Sequence, residues 1–292
     1  MTHIAIVGPG AIGGTIAAWL AQDTRHRITV AARTPFSQLE LETPETILHA
    51  RPEVLTDPHA ARPVEWVLVA TKAYDVASTA PWLIALMDEQ TRVAVLQNGV
   101  EHVERFAPYV EAKRILPVMV DCPAERVSPG HIRQRGVARL VVPQTDSGAS
   151  FVELFARTSI QASTAKDFHT QLWRKLCLNS VGALSAVLLR PAVIARHAGV
   201  ADLMRGIVRE AIAVGRAEGA ELNDDLADSI IEGYRKAPAD SVNSMHADRL
   251  AGRPMEIDAR NGAIVRFGQR HGIATPLNSM IVALLEASTL PA

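Results

Sequence analysis

The stretch Gly8-Pro9-Gly10-Ala11-Ile12-Gly13 constrains this chain more than any other feature, because it directly follows a short β-branched run, His3–Val7, and opens a helical pattern. In that setting G-x-G-x-x-G has a physical meaning. The first glycine permits a tight turn, the second lets backbone come close to a pyrophosphate, and the third lets the helix pack on the strand, while the helix N-terminus offers free N–H groups to the anion. A chain that begins this way is expected to build a doubly wound parallel sheet around a dinucleotide.

The pattern that follows agrees with this expectation. Strands are predicted at His3–Val7, Arg27–Ala31, Glu65–Ala70, Arg92–Leu96 and Arg114–Val120, with crossover helices at Ile12–Ala21, Val76–Met87 and Val100–Tyr109 between them. Two short runs around Arg135-Gly136, at Gly130–Arg135 and Ala138–Val142, predict a hairpin extending the sheet. Near Lys166 the pattern changes. From Asp167 onward only helical windows are seen, at Asp167–Leu189, Ala201–Glu218, Asp224–Tyr234, Glu256–His271 and Leu277–Leu285, with Pro191, Gly219 and Pro276 as stop and start signals. The length of 292 residues fits two domains. The expected division is residues 1–166, a Rossmann-type α/β domain, and 167–292, an all-helical domain carrying substrate and catalytic groups, with a cleft between them for a small molecule.

Charge and cysteine usage narrow the partners. Lys plus Arg number 30 against 31 for Asp plus Glu, a formal net charge of −1, so no overall field draws the chain to nucleic acid or to anionic membrane surfaces. The longest weakly polar run, Val181 to Leu189, is far short of the ~20 residues that cross a bilayer, and the N-terminus lacks the apolar stretch of a secretory signal. Cys122 and Cys177 belong to no metal-binding cluster, which fits a reducing compartment and a cytoplasmic location. No histidine pair has zinc spacing, and no G-x-S-x-G or Walker-type loop occurs, so hydrolase and metal readings have no residues to stand on.

Several positions near predicted strand ends and helix faces could carry chemistry. An acidic residue is usual at the end of the second strand of an NAD-binding fold, but here Ala32-Arg33-Thr34 follows Arg27–Ala31. A guanidinium there pairs with a 2′-phosphate, which favours NADP, and Lys72 beyond the third strand could add a second positive charge. Asn98-Gly99, past the fourth strand, reads equally well as a plain turn. Lys175 and Asn179 are i,i+4 on one helix face bracketed by Leu172, Leu176 and Val181. Taken alone, Lys175, Ser244 and Glu256 read as solvated surface groups, with Glu256 among the acids of a helix first turn. Asn261 falls on the apolar stripe of Ile257, Ile264 and Phe267, where a buried amide must find partners.

Together, Gly8-x-Gly10-Ala11-Ile12-Gly13, Arg33, Thr71-Lys72-Ala73-Tyr74-Asp75, Gln97-Asn98-Gly99, Trp173-Arg174-Lys175-Leu176-x-x-Asn179, Ser244-Met245-x-x-Asp248 and Glu256-Ile257-Asp258-x-x-Asn261-Gly262 resemble the ketopantoate reductase family, in family order over nearly the whole chain. The resemblance implies an NADPH-binding Rossmann domain joined to a helical domain, reducing 2-dehydropantoate to (R)-pantoate on the route to pantothenate. It implies Lys175 as proton donor, Asn98, Asn179 and Ser244 as substrate contacts, and Glu256 near both the lysine and the nicotinamide ribose, with Asn98 also bordering the cofactor. A lysine in a closing apolar cleft can be tuned to donate at neutral pH.

Two positions depart from the family pattern, Ala183 and Val193, where asparagines that contact substrate are common. Another branched or aromatic 2-oxo acid is therefore an alternative substrate. A 3-hydroxy acid dehydrogenase, disfavoured by Arg33 and the Glu256-Ile257-Asp258-x-x-Asn261-Gly262 segment, and a non-catalytic NADP-binding redox sensor, which would not need Lys175, Asn179, Ser244 and Glu256 together, are the other readings. Beyond the small 2-oxo acid, a homodimer is the one protein partner entertained.

Overall fold

The computed structural model describes residues 1–290 and resolves into two compact units, one of Met1–Gln97 with Glu101–Phe168, the other of Asn98–Val100 with the chain from His169 onward. In the first unit the strands are β1 (Thr2–Val7), β2 (His26–Ala31), β3 (Leu39–Glu42), β4 (Ile47–Ala50), β5 (Glu53–Leu55), β6 (Trp66–Val69), β7 (Arg92–Val95), β8 (Ile115–Pro117), β9 (Met119–Asp121), β10 (Ala124–Ser128), β11 (His131–Gln134), β12 (Arg139–Pro143) and β13 (Gln161–Ala165). Six of them form the expected parallel sheet, in the order β5-β2-β1-β6-β7-β8. The chain runs outward from β1 through β2 to β5, then returns to the other side of β1 with β6. That reversal makes the carboxyl ends of β1 and β6 the switch point, where doubly wound sheets bind ligands.

Strand alternation explains how this sheet is covered on both faces. Ile4 and Ile6 of β1, with Trp66 and Leu68 of β6, point into one apolar cluster, which includes Ile16 and Leu20 of helix α1 (Ala11–Leu20). Their neighbours Ala5, Val7, Val67 and Val69 point into the other, with Leu83 and Leu86 of helix α2 (Val76–Leu86). Leu68 is fully buried, a contribution of about 1.5–3 kcal/mol for one such side chain. A strand that is apolar at every position is thus a strand with a helix on each face.

Three expectations for this unit need correction. The single strand expected over Arg114–Val120 is divided: β8 pairs with β7 in the parallel sheet, whereas β9 pairs antiparallel with β12 in a separate three-stranded sheet. Pro117 has no N–H to continue a ladder, and Val118 donates to the Val95 carbonyl at 3.0 Å before the chain leaves the sheet. The hairpin expected around Arg135-Gly136 does not form. β11 pairs antiparallel with β10 and parallel with β3, and β12 pairs with β13 and β9. The positive φ that the β10–β11 turn requires, +79°, is at Gly130 and not at Gly136. Third, the helix expected over Val100–Tyr109 contracts to α3 (His102–Phe106).

The second unit contains no strand among the described residues, as expected. After α4 (Asp146–Glu153) of the first unit come α5 (Phe168–Leu188), α6 (Ala198–Ala217), α7 (Leu226–Lys236), α8 (Ser244–Leu250), α9 (Ala263–His271) and α10 (Pro276–Ala287). Their inward stripes form one core, including Trp173, Met204, Ile231, Ile264, Phe267 and Ile281. Gly219 has φ +90° just past α6, the left-handed stop expected of it, and Pro276 occupies the first position of α10. The helix expected from Glu256 starts differently: residues Asp258–Gly262 form a single π turn before α9. Among the described residues, no helix is long and apolar enough to cross a membrane.

Candidate functional site

Gly8 leaves β1 with φ +92°, and its amide donates to the Ala31 carbonyl of β2 at 3.1 Å. A Cβ at Gly8 would lie 2.9 Å from the Thr71 amide nitrogen, and one at Gly13 only 2.3 Å from the Gly8 carbonyl oxygen, so both positions need glycine to let α1 close on the strand ends. Gly10 is different. A Cβ there would meet nothing within 4 Å. That open space stands over the first turn of α1, which has no side-chain cap and no acidic residue. Uncapped N–H groups beneath open space are what a diphosphate requires, so Gly8, Pro9, Gly10, Ala11, Ile12 and Gly13 fit a dinucleotide.

Beside this loop, β2 ends in buried Ala31 and Ala32 and then in Arg33, whose side chain is 87% exposed with Nη2 3.7 Å from Asp75 Oδ2. An ion pair so exposed is weak, so the guanidinium can turn to another anion at little cost. Lys72 precedes the short 3₁₀ turn Ala73–Asp75, and Asp75 donates its amide to the Lys72 carbonyl at 2.9 Å, which brings Lys72, Asp75 and Arg33 to one edge of the sheet. Gln97, at the end of β7, donates from Nε2 to Thr71 Oγ1 at 3.1 Å and to the Lys72 carbonyl at 3.2 Å. Sequence reasoning named it only as part of a motif. The hollow lined by Thr2, His26, Trp66 and Arg92 lies at the opposite, amino-terminal edge of the sheet, and no residue of the glycine loop lines it.

In the helical unit, the short segment 98–100 packs against the π turn. Gly99 has φ +103°, and a Cβ there would sit 2.7 Å from the Ala259 carbonyl oxygen, so this Asn-Gly pair is a close-packing device and more than a surface turn. Asn98 Nδ2 donates to Glu256 Oε2 at 2.9 Å. Glu256 is 4% exposed, which overturns its expected place among solvated first-turn acids. A buried carboxylate requires partners, and Asn98 is one of them. Ser244 begins α8, where Asn243 Oδ1 accepts the amides of Met245 and His246, both at 3.1 Å. Ser244 Oγ in turn accepts from Arg260 Nη2 at 2.8 Å.

Lys175 and Asn179 share a face of α5, each partly buried, one turn apart between buried Leu172, Leu176 and Val181. The structure therefore assembles the expected residues into groups: the glycine loop, the pair of cations at the sheet edge, the α5 pair, and Asn98, Glu256 and Ser244 around Arg260. Arg260 escaped sequence reasoning. Its signal was the i,i+4 spacing from Glu256, which looks like an ordinary surface pair. The π turn that buries it is a backbone irregularity that sequence periodicity does not show, and such turns frequently mark functional sites.

Other candidates fall away on inspection. Asn261 is fully buried, with Nδ2 donating to the Ser180 carbonyl at 3.1 Å and to Asn278 Oδ1 at 3.0 Å, so the amide on the apolar stripe ties helices together. Burial pushes the Cys177 thiol up to about 12, which removes it as a nucleophile. Glu40, Glu42 and His131 cluster on the small sheet, but Glu42 already accepts from Arg133 Nε at 2.6 Å and lies 2.5 Å from His131 Nε2. Those bonds, Arg133 first, hold the Glu42 carboxyl below its ordinary range.

Comparison with known proteins gives the family. Residues 4–147 match the family described as "Ketopantoate reductase PanE/ApbA", and residues 167–289 match "Ketopantoate reductase PanE/ApbA C terminal". A 2-dehydropantoate 2-reductase of Caulobacter vibrioides is 56% identical over 290 residues, 99% of this chain and 100% of that protein. One of Mycobacterium tuberculosis is 40% identical over 99% of this chain and 98% of that protein. Among solved structures, a PanE/ApbA family ketopantoate reductase from Ralstonia eutropha JMP134 superposes with a TM-score of 0.91 at 33% identity, covering 98% of each chain. Glycine loop, buried Asn98–Glu256 pair and end-to-end identity lead to one assignment: the chain belongs to the ketopantoate reductase family.

Proposed function

We propose that this chain is a 2-dehydropantoate 2-reductase working with NADPH. The observation that carries the reading is the 56% identity to a 2-dehydropantoate 2-reductase over 290 residues. The cofactor preference rests on Arg33 at the end of β2, where a carboxylate would have served NAD, with Lys72 as a second cation nearby.

A ketone carbon that accepts a hydride leaves negative charge on its oxygen, so an acid must stand ready to neutralise it. The reduced nicotinamide, when bound, supplies that hydride. Lys175 is the proton donor on this reading, partly buried on α5 between the buried Leu172 and Leu176. Asn179, one turn along, orients the substrate. Glu256 accepts the Asn98 N–H, which fixes the amide and turns the Asn98 carbonyl oxygen to a substrate hydroxyl. Because Ser244 Oγ accepts from Arg260, its own O–H is left to donate.

A second reading keeps the chemistry and changes the substrate. Ala183 is fully buried in the helical core, and Val193 lies in the 3₁₀ turn Ala192–Arg196, so neither supplies the amide common in the family. Another branched or aromatic 2-oxo acid would suit such a site. The deciding experiment measures NADPH and NADH oxidation against a panel of 2-oxo acids that includes 2-dehydropantoate. The proposal expects the highest kcat/KM with 2-dehydropantoate and NADPH, and sedimentation of the same protein decides whether it works as a homodimer. That neither Cys122 nor Cys177 is joined in a disulfide suits a cytoplasmic setting.

A further inference from the structure

Arg260 is 3% exposed, yet its charge is incompletely answered. Its Nη2 donates to a neutral hydroxyl, Ser244 Oγ, at 2.8 Å. Its ion pair with Glu256 is loose, with Nη2 3.9 Å from Oε2 and beyond hydrogen-bond reach, and that oxygen already accepts from Asn98. Arg260 Nε finds no hydrogen-bond partner among the described residues. Tyr234, in the field of the same guanidinium, offers no countercharge, because burial pushes its phenol up to about 12 and keeps it neutral. A buried guanidinium with a donor unused is costly unless an anion completes it.

We propose that Arg260 receives the carboxylate of the 2-oxo acid, with the Ser244 hydroxyl as the second donor. The inference rests on reading the chain as a 2-oxo acid reductase and adds the group by which it holds the acid. The oxygen of Ser244 accepts from Arg260 at 2.8 Å, so its proton is left for another acceptor, and a carboxylate reaching this pair would meet both donors. A planar guanidinium fork suits a carboxylate as an ammonium does not. Asn98, held by Glu256 next to this pair, is left for the rest of the substrate. Where Ala183 and Val193 supply no amide, recognition is weighted toward the carboxylate that all 2-oxo acids share.

The test titrates the protein, saturated with NADP+, with pantoate, with other 2-hydroxy acids and with the matching uncharged amides, by calorimetry. Wild type, Arg260→Met and Arg260→Lys are compared. The expected result is a loss of roughly 100-fold in carboxylate affinity for Arg260→Met, partial recovery in Arg260→Lys, and little change for the amides. Equal loss for acids and amides, or no loss at all, overturns the proposal. NADP+ affinity and Tm, measured on each variant, identify one that has not folded; Arg260→Lys then carries the comparison. If wild type ignores pantoate but binds another 2-hydroxy acid through Arg260, the substrate reading fails while this inference stands. If Arg260→Met binds and forms pantoate normally, the reverse holds, and if no 2-hydroxy acid binds, both fall.

Discussion

The glycine loop of the first unit and the Asn98–Glu256–Arg260–Ser244 group of the second solve recognition by opposite means. The loop works through what is missing: no side chain at Gly10, no cap on α1, no acid at the end of β2. Its donors are backbone amides, placed by consecutive residues. The second group works through what is present, four side chains gathered from segments up to 162 positions apart, counting from residue 98 to 260, and each holds another in place. A backbone site tolerates change wherever a side chain can be kept out of the way, whereas a site of interlocked side chains loses its geometry when one member goes.

The largest expected effect lies in the second unit, at the α5 pair that stands apart from that group. If Lys175 donates the proton, Lys175→Ala lowers kcat by roughly 10²–10⁴-fold while NADPH affinity changes little, as single-turnover kinetics and a binding titration would record. The wild-type rate should also fall in alkaline solution as the amine loses its proton, and this limb should vanish in the variant. A variant with near-normal kcat on the best substrate would move the donor elsewhere and leave fold and cofactor untouched.

Two alanine substitutions separate shape from binding within the loop. Gly13→Ala places a Cβ 2.3 Å from the Gly8 carbonyl and should destabilise the first unit by about 1–3 kcal/mol, read as a lower Tm. Gly10→Ala meets open space, so Tm should hold while NADPH affinity drops roughly 10-fold or more, because the methyl occupies the diphosphate's place. Both variants losing stability alike would mean that the space over α1 is not a ligand cradle.

Legibility in the sequence follows the same division. The β1-loop-α1 unit was readable because its chemistry is local, and the parallel strands because burial on both faces makes them apolar throughout. The helical half was readable from its 3.6-residue stripes. The smaller sheets were readable only in part: the runs that form β11 and β12 were expected as strands, whereas their pairing and the strands β3, β4, β10 and β13 were not. β3 does alternate, with Leu39 and Leu41 inward and Glu40 and Glu42 outward, a signal that was there to be found. β13, Gln-Ala-Ser-Thr-Ala, has no apolar pattern and is held by pairing with β12. Arg260 was hidden for another reason: an arginine four residues after a glutamate looks solvated, and the π turn in which it is buried, packed against Gly99 at Ala259, leaves no mark in the periodicity.

A smaller effect tests the sheet-edge cations. Arg33→Ala should narrow the preference for NADPH over NADH by about 1–3 kcal/mol, the scale of a charge-assisted contact. Calorimetric titration of both cofactors against both proteins checks it. Equal affinities in the unmutated protein would remove Arg33 from cofactor choice and leave its contact with Asp75 as its only role.

The smallest expected effect asks whether the helical unit also uses its backbone. Leu189, which follows α5, has φ +53°, a left-handed conformation that costs a residue with a Cβ about 1–2 kcal/mol. The chain keeps it because Arg190 donates its amide to the Ser185 carbonyl at 3.1 Å, closing the helix end, and because Pro191 then forbids continuation. Leu189 is exposed, so little packing is lost on truncation. Leu189→Gly removes the strain but gives the unfolded chain more freedom, about 0.5–1 kcal/mol in the other direction, and the balance favours the variant by up to about 1 kcal/mol. The expected outcome is a slightly higher Tm with unchanged kcat and KM. A fall in kcat at equal or greater stability would mean that the strained turn positions α5, and with it Lys175, so that the side-chain site too would depend on a backbone device.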